Sequence, residues 1–111
     1  MIIATRTLKL QSDHGVLDVP VRIFKPWPAW NDSWECDYEI DWPDRKRSMT
    51  VAGMDSIQAI FIAMQMIGSE IYTSSAHESG MLSFYAPGRG YGFPVPVSLR
   101  DLLVGDDAKY L

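Results

Sequence analysis

The 111 residues contain a single cysteine, Cys36, so no disulfide can close within one chain, and a reducing compartment, the cytoplasm, is expected. Long apolar runs are missing too. The most apolar stretch, residues 55–72, is interrupted by Gln58, Gln65, Ser69 and Glu70 and falls short of the roughly 18 apolar residues of a bilayer span. The opening MIIATRTLKL alternates where a signal peptide would be continuously apolar, so neither export nor a membrane partner is expected. Positive charge is not in excess: a net charge of −4 and a pI near 4.9 oppose binding to phosphate backbones, which excludes nucleic acid as the expected partner. Low-complexity runs and charge blocks are absent, so disorder is not expected. Cys36, His14 and His77 share no CxxC or HxxxH spacing, so neither a metal nor any other cofactor is expected. Ser74, Ser75, His77 and Glu78 include the residue types of a hydrolytic triad, but they lie together at a helix end without the strand-turn-helix setting of a nucleophile elbow. GRGYGFP has neither the preceding buried strand nor the lysine of a phosphate loop. No catalytic residue emerges from the sequence.

A hydrophobic content of 47% and the chain length fit one domain over residues 1–111. Two alternating segments, residues 3–10 and 16–23, separated by QSDHG, read as a hairpin. Pro20, which has no N–H, places the second strand at an edge or leaves its nitrogen side unpaired. WECDYEIDW alternates most cleanly, with Trp34, Cys36, Tyr38, Ile40 and Trp42 on one face and Glu35, Asp37, Glu39 and Asp41 on the other. The next strand returns through Arg45, Lys46 and Arg47, and the register that pairs Asp41 with Lys46 also sets Tyr38 against Met49 and Cys36 against Val51. Residues 55–72 form the long helix, capped by Asp55 with Gln58 three positions on. Its apolar stripe is Ile57, Ile60, Phe61, Met64, Ile67, Gly68 and Ile71. Residues 73–78 are expected to fray, MLSFY to make a short fifth strand, and Ser98 to start a short terminal helix stopped by Gly105. The expected fold is α+β: an antiparallel meander of four or five strands, one face covered by one long helix, with an extended C-terminal segment wrapped outside it.

Four groups of residues are candidates for function. Trp27 and Trp30, in a proline-broken loop, either fold back as a lid or form an exposed recognition patch; Arg89, Tyr91 and Phe93 on the glycine-rich segment either pack or bind a peptide. The acidic face of Glu35, Asp37, Glu39 and Asp41 spaces its carboxylates by roughly 7 Å along one strand, too far apart to gather round one ion, so it reads as a solvated face able to meet a basic partner. Ile62 and Met66 lie opposite the main helical stripe and need covering, either by residues 91–97 or by a second subunit, which makes them the candidate oligomer face of a monomer or homodimer.

The motifs WxCxYxI at Trp34 to Ile40, GxDSxQA at Gly53 to Ala59, and GYGFPV from Gly90 resemble those of a family of small bacterial proteins described as a domain of unknown function. The resemblance implies kinship along most of the chain and carries no mechanism or site residue. Small size, acidity and exposed aromatics motivate the expected function, a non-enzymatic protein-binding module of the bacterial cytoplasm, of the immunity or regulatory kind. The alternatives are a small-molecule-binding domain or enzyme, with a pocket between the sheet, Trp27, Trp30 and residues 91–96, and a structural homodimer.

Overall fold

A computed structural model describes all residues 1–111. Strands β1 (Ile2–Ser12) and β2 (Gly15–Phe24) form the first hairpin, and β4 (Trp34–Trp42) and β5 (Arg45–Gly53) the second, with the two-residue β3 (Trp27–Pro28) between them. Helix α1 (Ser56–Tyr72) is followed by the single turn α2 (Ser75–Glu78), the short strand β6 (Leu82–Ser83), a 3-10 helix (Val97–Leu102) and α3 (Gly105–Tyr110). The sheet is antiparallel and open, with β6, β1, β2, β4 and β5 side by side. β5 lines one edge of β4 over its whole length, so β2 and β3 share the other, and β3 continues β2 beyond a break at Lys25 and Pro26.

The second hairpin has the register that its charges and apolar alternation imply, with Asp41 opposite Lys46, Tyr38 opposite Met49 and Cys36 opposite Val51. Arg47 consequently faces inward beside Ile40, and it is satisfied there by Glu70 of α1, whose Oε1 is 2.8 Å from the Arg47 Nε and which also accepts from the Tyr38 hydroxyl. β2 is an interior strand, but its ladder with β4 spans only Val21 to Ile23 and stops short of Pro20, which has no N–H to give.

The helix begins as expected, with Asp55 accepting from the Gln58 N–H at 2.7 Å; the Gln58 side chain reaches one residue further back than a capping box would, to the Met54 N–H at 2.6 Å. The buried face of α1 differs from the expected stripe. Ala59, Ala63, Ile67 and Ile71 are fully buried, whereas Ile57 is 77% and Phe61 50% exposed. Small residues win because α1 seats directly on β4 and β5: a Cβ on Gly53 of β5 would lie 2.6 Å from the Ala59 nitrogen.

The C-terminal segment also takes a different path. Tyr91, Phe93 and Val95 are buried with the sheet core beside α1, and the chain crosses the helix at Gly68 before returning through Leu99, Leu103 and Val104. At 100° per residue, Gly68 stands about 160° around the helix from Met66 and about 120° from Ile62, so this strap covers neither. Met66 packs on the core from the other flank and Ile62 is half-buried. Residues 75–78 form a turn of helix capped by Ser74 instead of fraying, and Gly105 starts α3 where a stop was expected. Gly105 adopts φ 58° packed against the Arg89 backbone, a close approach that leaves no room for a side chain.

Candidate functional site

Because α1 and the strap both pack on one side of the sheet, the opposite side carries only its own side chains, all exposed or half-buried. Residues opposite each other in an antiparallel pair share a face. Glu35, Asp37, Glu39 and Asp41 therefore stand on this open face, and Trp27, opposite Glu35, stands with them. Their electrostatic surroundings differ along the row. The Arg22 guanidinium lies 3.6 Å from both Glu39 and Asp41, and Lys46 reaches Glu39 at 3.5 Å. Asp37 accepts only the Thr50 hydroxyl, and no cation lies within 4 Å of Glu35 or Asp37. Uncompensated negative charge is thus confined to the end of the row that Trp27 occupies.

Trp30 sits on the neighbouring turn and is 85% exposed, against 39% for Trp27. The turn is closed by the Ala29 N–H on the Ser33 carbonyl at 2.8 Å and by the Ser33 hydroxyl on the Trp30 carbonyl at 3.1 Å. Asn31 (φ 65°) and Asp32 (φ 57°) take successive left-handed conformations, which short polar side chains tolerate best. Backbone geometry therefore holds the indole away from the core; it does not fold back as a lid.

Arg89, Tyr91 and Phe93 do not meet the tryptophans: Phe93 and Tyr91 are buried on the helix side of the sheet, opposite the face that carries Trp27. Arg89 is exposed and paired with Asp106 at 2.9 Å. Phe93 is buried beside Met64, Ala4 and Ile23. Tyr91 is buried in a knot centred on Asp107, itself only 2% exposed. The Asp107 carboxylate accepts the Tyr72 hydroxyl and, each at 2.8 Å, the Tyr91 and Gly92 N–H groups. His77 Nδ1 meets the Tyr91 hydroxyl at 2.6 Å, and the rings of Tyr72, His77 and Tyr91 pack edge to face. With both carboxylate oxygens occupied by the protein, this cluster latches the C-terminal segment.

Burial, reinforced by the Asp107 charge, pushes the Tyr91 hydroxyl up to about 12, and burial also raises those of Tyr38 and Tyr72, with Glu70 and Asp107 adding to it as hydrogen-bond acceptors. A raised folded-state value means that the neutral phenol stabilises the fold fully below the ordinary tyrosine value near 10, and that this contribution falls as pH climbs toward 12. Urea unfolding at pH 8 and pH 11 should show a lower midpoint at pH 11. Absorbance near 295 nm should show the buried tyrosines ionising only as the chain unfolds; an unchanged midpoint would contradict the burial described.

Of the remaining reactive types, Cys36 is buried and donates to the Phe24 carbonyl at 3.3 Å, and burial together with the Asp37 charge pushes its thiol up, away from the nucleophilic thiolate. His14 lies in the exposed turn between β1 and β2. No group of three or more histidine, cysteine, aspartate or glutamate side chains is placed to hold a metal ion, and no helix is long and apolar enough to cross a membrane.

Arg6 belongs to the site without any motif that marks it. It shares strand parity with Leu8 and Leu10, which puts a cation on the core face of β1, and that parity was the available signal.

A family model described as a domain of unknown function, DUF6968, matches residues 4–95. No curated protein and no solved structure matches the chain.

Proposed function

The chain belongs to the DUF6968 family, a domain of unknown function, and from that premise we propose a non-enzymatic protein-binding module of the bacterial cytoplasm, of the immunity or regulatory kind. The observation that carries this reading is the presentation of Trp30, an indole 85% exposed on a turn whose backbone keeps it out. Tryptophan is the residue most enriched among binding hot spots, and hydration of so large an apolar body is a cost that a partner would relieve. Glu35 and Asp37, beside Trp27 and without cations, give the patch its sign. The partner is basic, and attraction to this end of the sheet raises its association rate at low salt. Trp27 and Trp30 supply contact area, and Glu39 and Asp41, already held by Arg22 and Lys46, contribute less.

The test uses the intact chain as bait in extracts of its host, beside Trp30→Ala and a Glu35→Gln, Asp37→Asn double variant. A basic protein should bind the wild type, with about 30-fold lower affinity for Trp30→Ala, corresponding to the roughly 2 kcal/mol of a hot spot. The double variant should lose the dependence of binding on salt. Unfolding free energies of all three should agree within about 0.5 kcal/mol, since none of these side chains is in the core. Equal recovery by wild type and variants would end the proposal.

A further inference from the structure

Helix α1 seats on β4 and β5 and leaves β1 and β2 to the strap, which covers them only in part. Between Phe93 and Met64 a cleft of about 170 Å³ opens onto the sheet, with Ala4, Val21 and Ile23 among its lining residues. Exposed Phe61 and Ile57 continue the Met64 flank of α1 toward its N-terminus.

Arg6 also lines this cleft. Its guanidinium lies between two rings, 4.7 Å from the centre of Phe84 and 5.1 Å from that of Phe93. One nitrogen, Nη1, donates to the Tyr91 carbonyl at 3.0 Å and to the Gly92 carbonyl at 3.1 Å. Two aromatic faces and two carbonyls fix the plane of the group, yet Nε and Nη2 have no hydrogen-bond partner in the protein and no carboxylate comes within 4 Å. Gly92 is required for this placement, because a Cβ there would collide with the Arg6 Nη1.

We propose that this cleft binds a small apolar monocarboxylate, with the carboxylate on the free edge of Arg6 and the alkyl chain against Val21, Ile23, Met64 and Phe93. The planar fork of a guanidinium matches a carboxylate in two parallel hydrogen bonds. A half-buried cation without a counter-ion is stabilised by an anion that arrives with its own apolar cover. One guanidinium balances one charge, so a phosphate dianion would leave negative charge unmatched in an apolar cleft. The volume is below the roughly 300 to 1,000 Å³ of drug-sized sites, which limits the ligand to a short chain. The site lies on the helix side of the sheet and is independent of the Trp30 surface.

The experiment is titration of the intact ¹⁵N-labelled chain at about pH 7.5 with hexanoate and, separately, with 1-hexanol and hexyl phosphate, which carry the same alkyl chain with no charge and with mostly two charges. Hexanoate should shift the amides of Ala4, Arg6, Val21, Ile23 and Gly92 and saturate, binding at least tenfold more tightly than either comparison compound. Arg6→Gln should abolish that preference. Because Arg6 also holds the Tyr91 and Gly92 carbonyls, Met64→Phe serves as a second variant: it narrows the cleft, leaves Arg6 untouched, and should weaken hexanoate at least tenfold with the unfolding midpoint kept. Equal binding of hexanoate and hexanol, shifts confined to other residues, or full hexanoate affinity in Met64→Phe would each overturn the proposal.

Discussion

Replacing Gly68 by alanine should destabilise the protein by about 3 kcal/mol, at the upper end of what overpacking a core costs. The sign is opposite to that for an ordinary helix interior, where the same change stabilises by roughly 1 kcal/mol. The reason is the crossing of the strap: a methyl group at residue 68 would lie 3.0 Å from the Pro94 carbonyl carbon, closer still to its oxygen, and 3.1 Å from Cγ1 of Val95. The nearest atoms are those of the Pro94 carbonyl, backbone that no side-chain rotation can move aside, so the strap must lift from the helix and take Phe93 and Val95 part of the way out of the core. A lower urea midpoint, with new protease cleavage between residues 94 and 104, is the expected result. A midpoint equal to or above that of the wild type would mean that the chain does not cross the helix here.

Asp107→Ala should cost about 3 to 5 kcal/mol, because it removes one acceptor group that serves three donors. The Tyr91 and Gly92 N–H groups and the Tyr72 hydroxyl would all lose their partner at a site that solvent barely reaches. Asp107→Asn separates charge from shape: it retains one acceptor oxygen but turns an NH₂ toward a donor, so it should lie between wild type and alanine. Denaturant unfolding of the three proteins checks the order. An alanine variant within about 1 kcal/mol of wild type would show that water takes the place of the carboxylate.

The two hairpins were readable because each residue of β4 and β5 is constrained twice, by its face and by the charge opposite it. A one-residue slip would bring Asp41 away from Lys46 and turn Tyr38 outward, so one register satisfied both conditions. The helix start was legible for the same reason, through the match of Asp55 with Gln58. The face of the helix was not. Apolar periodicity ranks isoleucine and phenylalanine above alanine, but the fit of α1 against Gly53 rewards the small side chains of Ala59 and Ala63 and turns Ile57 and Phe61 outward. The candidate surfaces were legible as types and not as neighbours. Nothing in a proline-broken loop shows that two residues, Trp27 and Pro28, will pair with β4 and set an indole beside Glu35. Nor does spacing along the chain show that Tyr91 and Phe93 are core, since their burial depends on Asp107 and Arg6 from opposite ends of the sequence.

The bonds from Arg6 to the Tyr91 and Gly92 carbonyls join residues 85 and 86 positions apart. Contacts of such separation close late, after the local hairpins and the helix. On the ribosome the first hairpin is complete when β2 has emerged, but its apolar side, with Leu8, Val19 and Val21, is not fully covered until α1 and the strap have followed, and the strap has no latch until Asp107 arrives. From the emergence of β2 until the strap and Asp107 have followed, then, the nascent chain displays an incompletely covered apolar half-sheet. That interval, more than any weakness of the finished fold, is when aggregation competes with folding and when chaperones that bind extended apolar segments have something to hold.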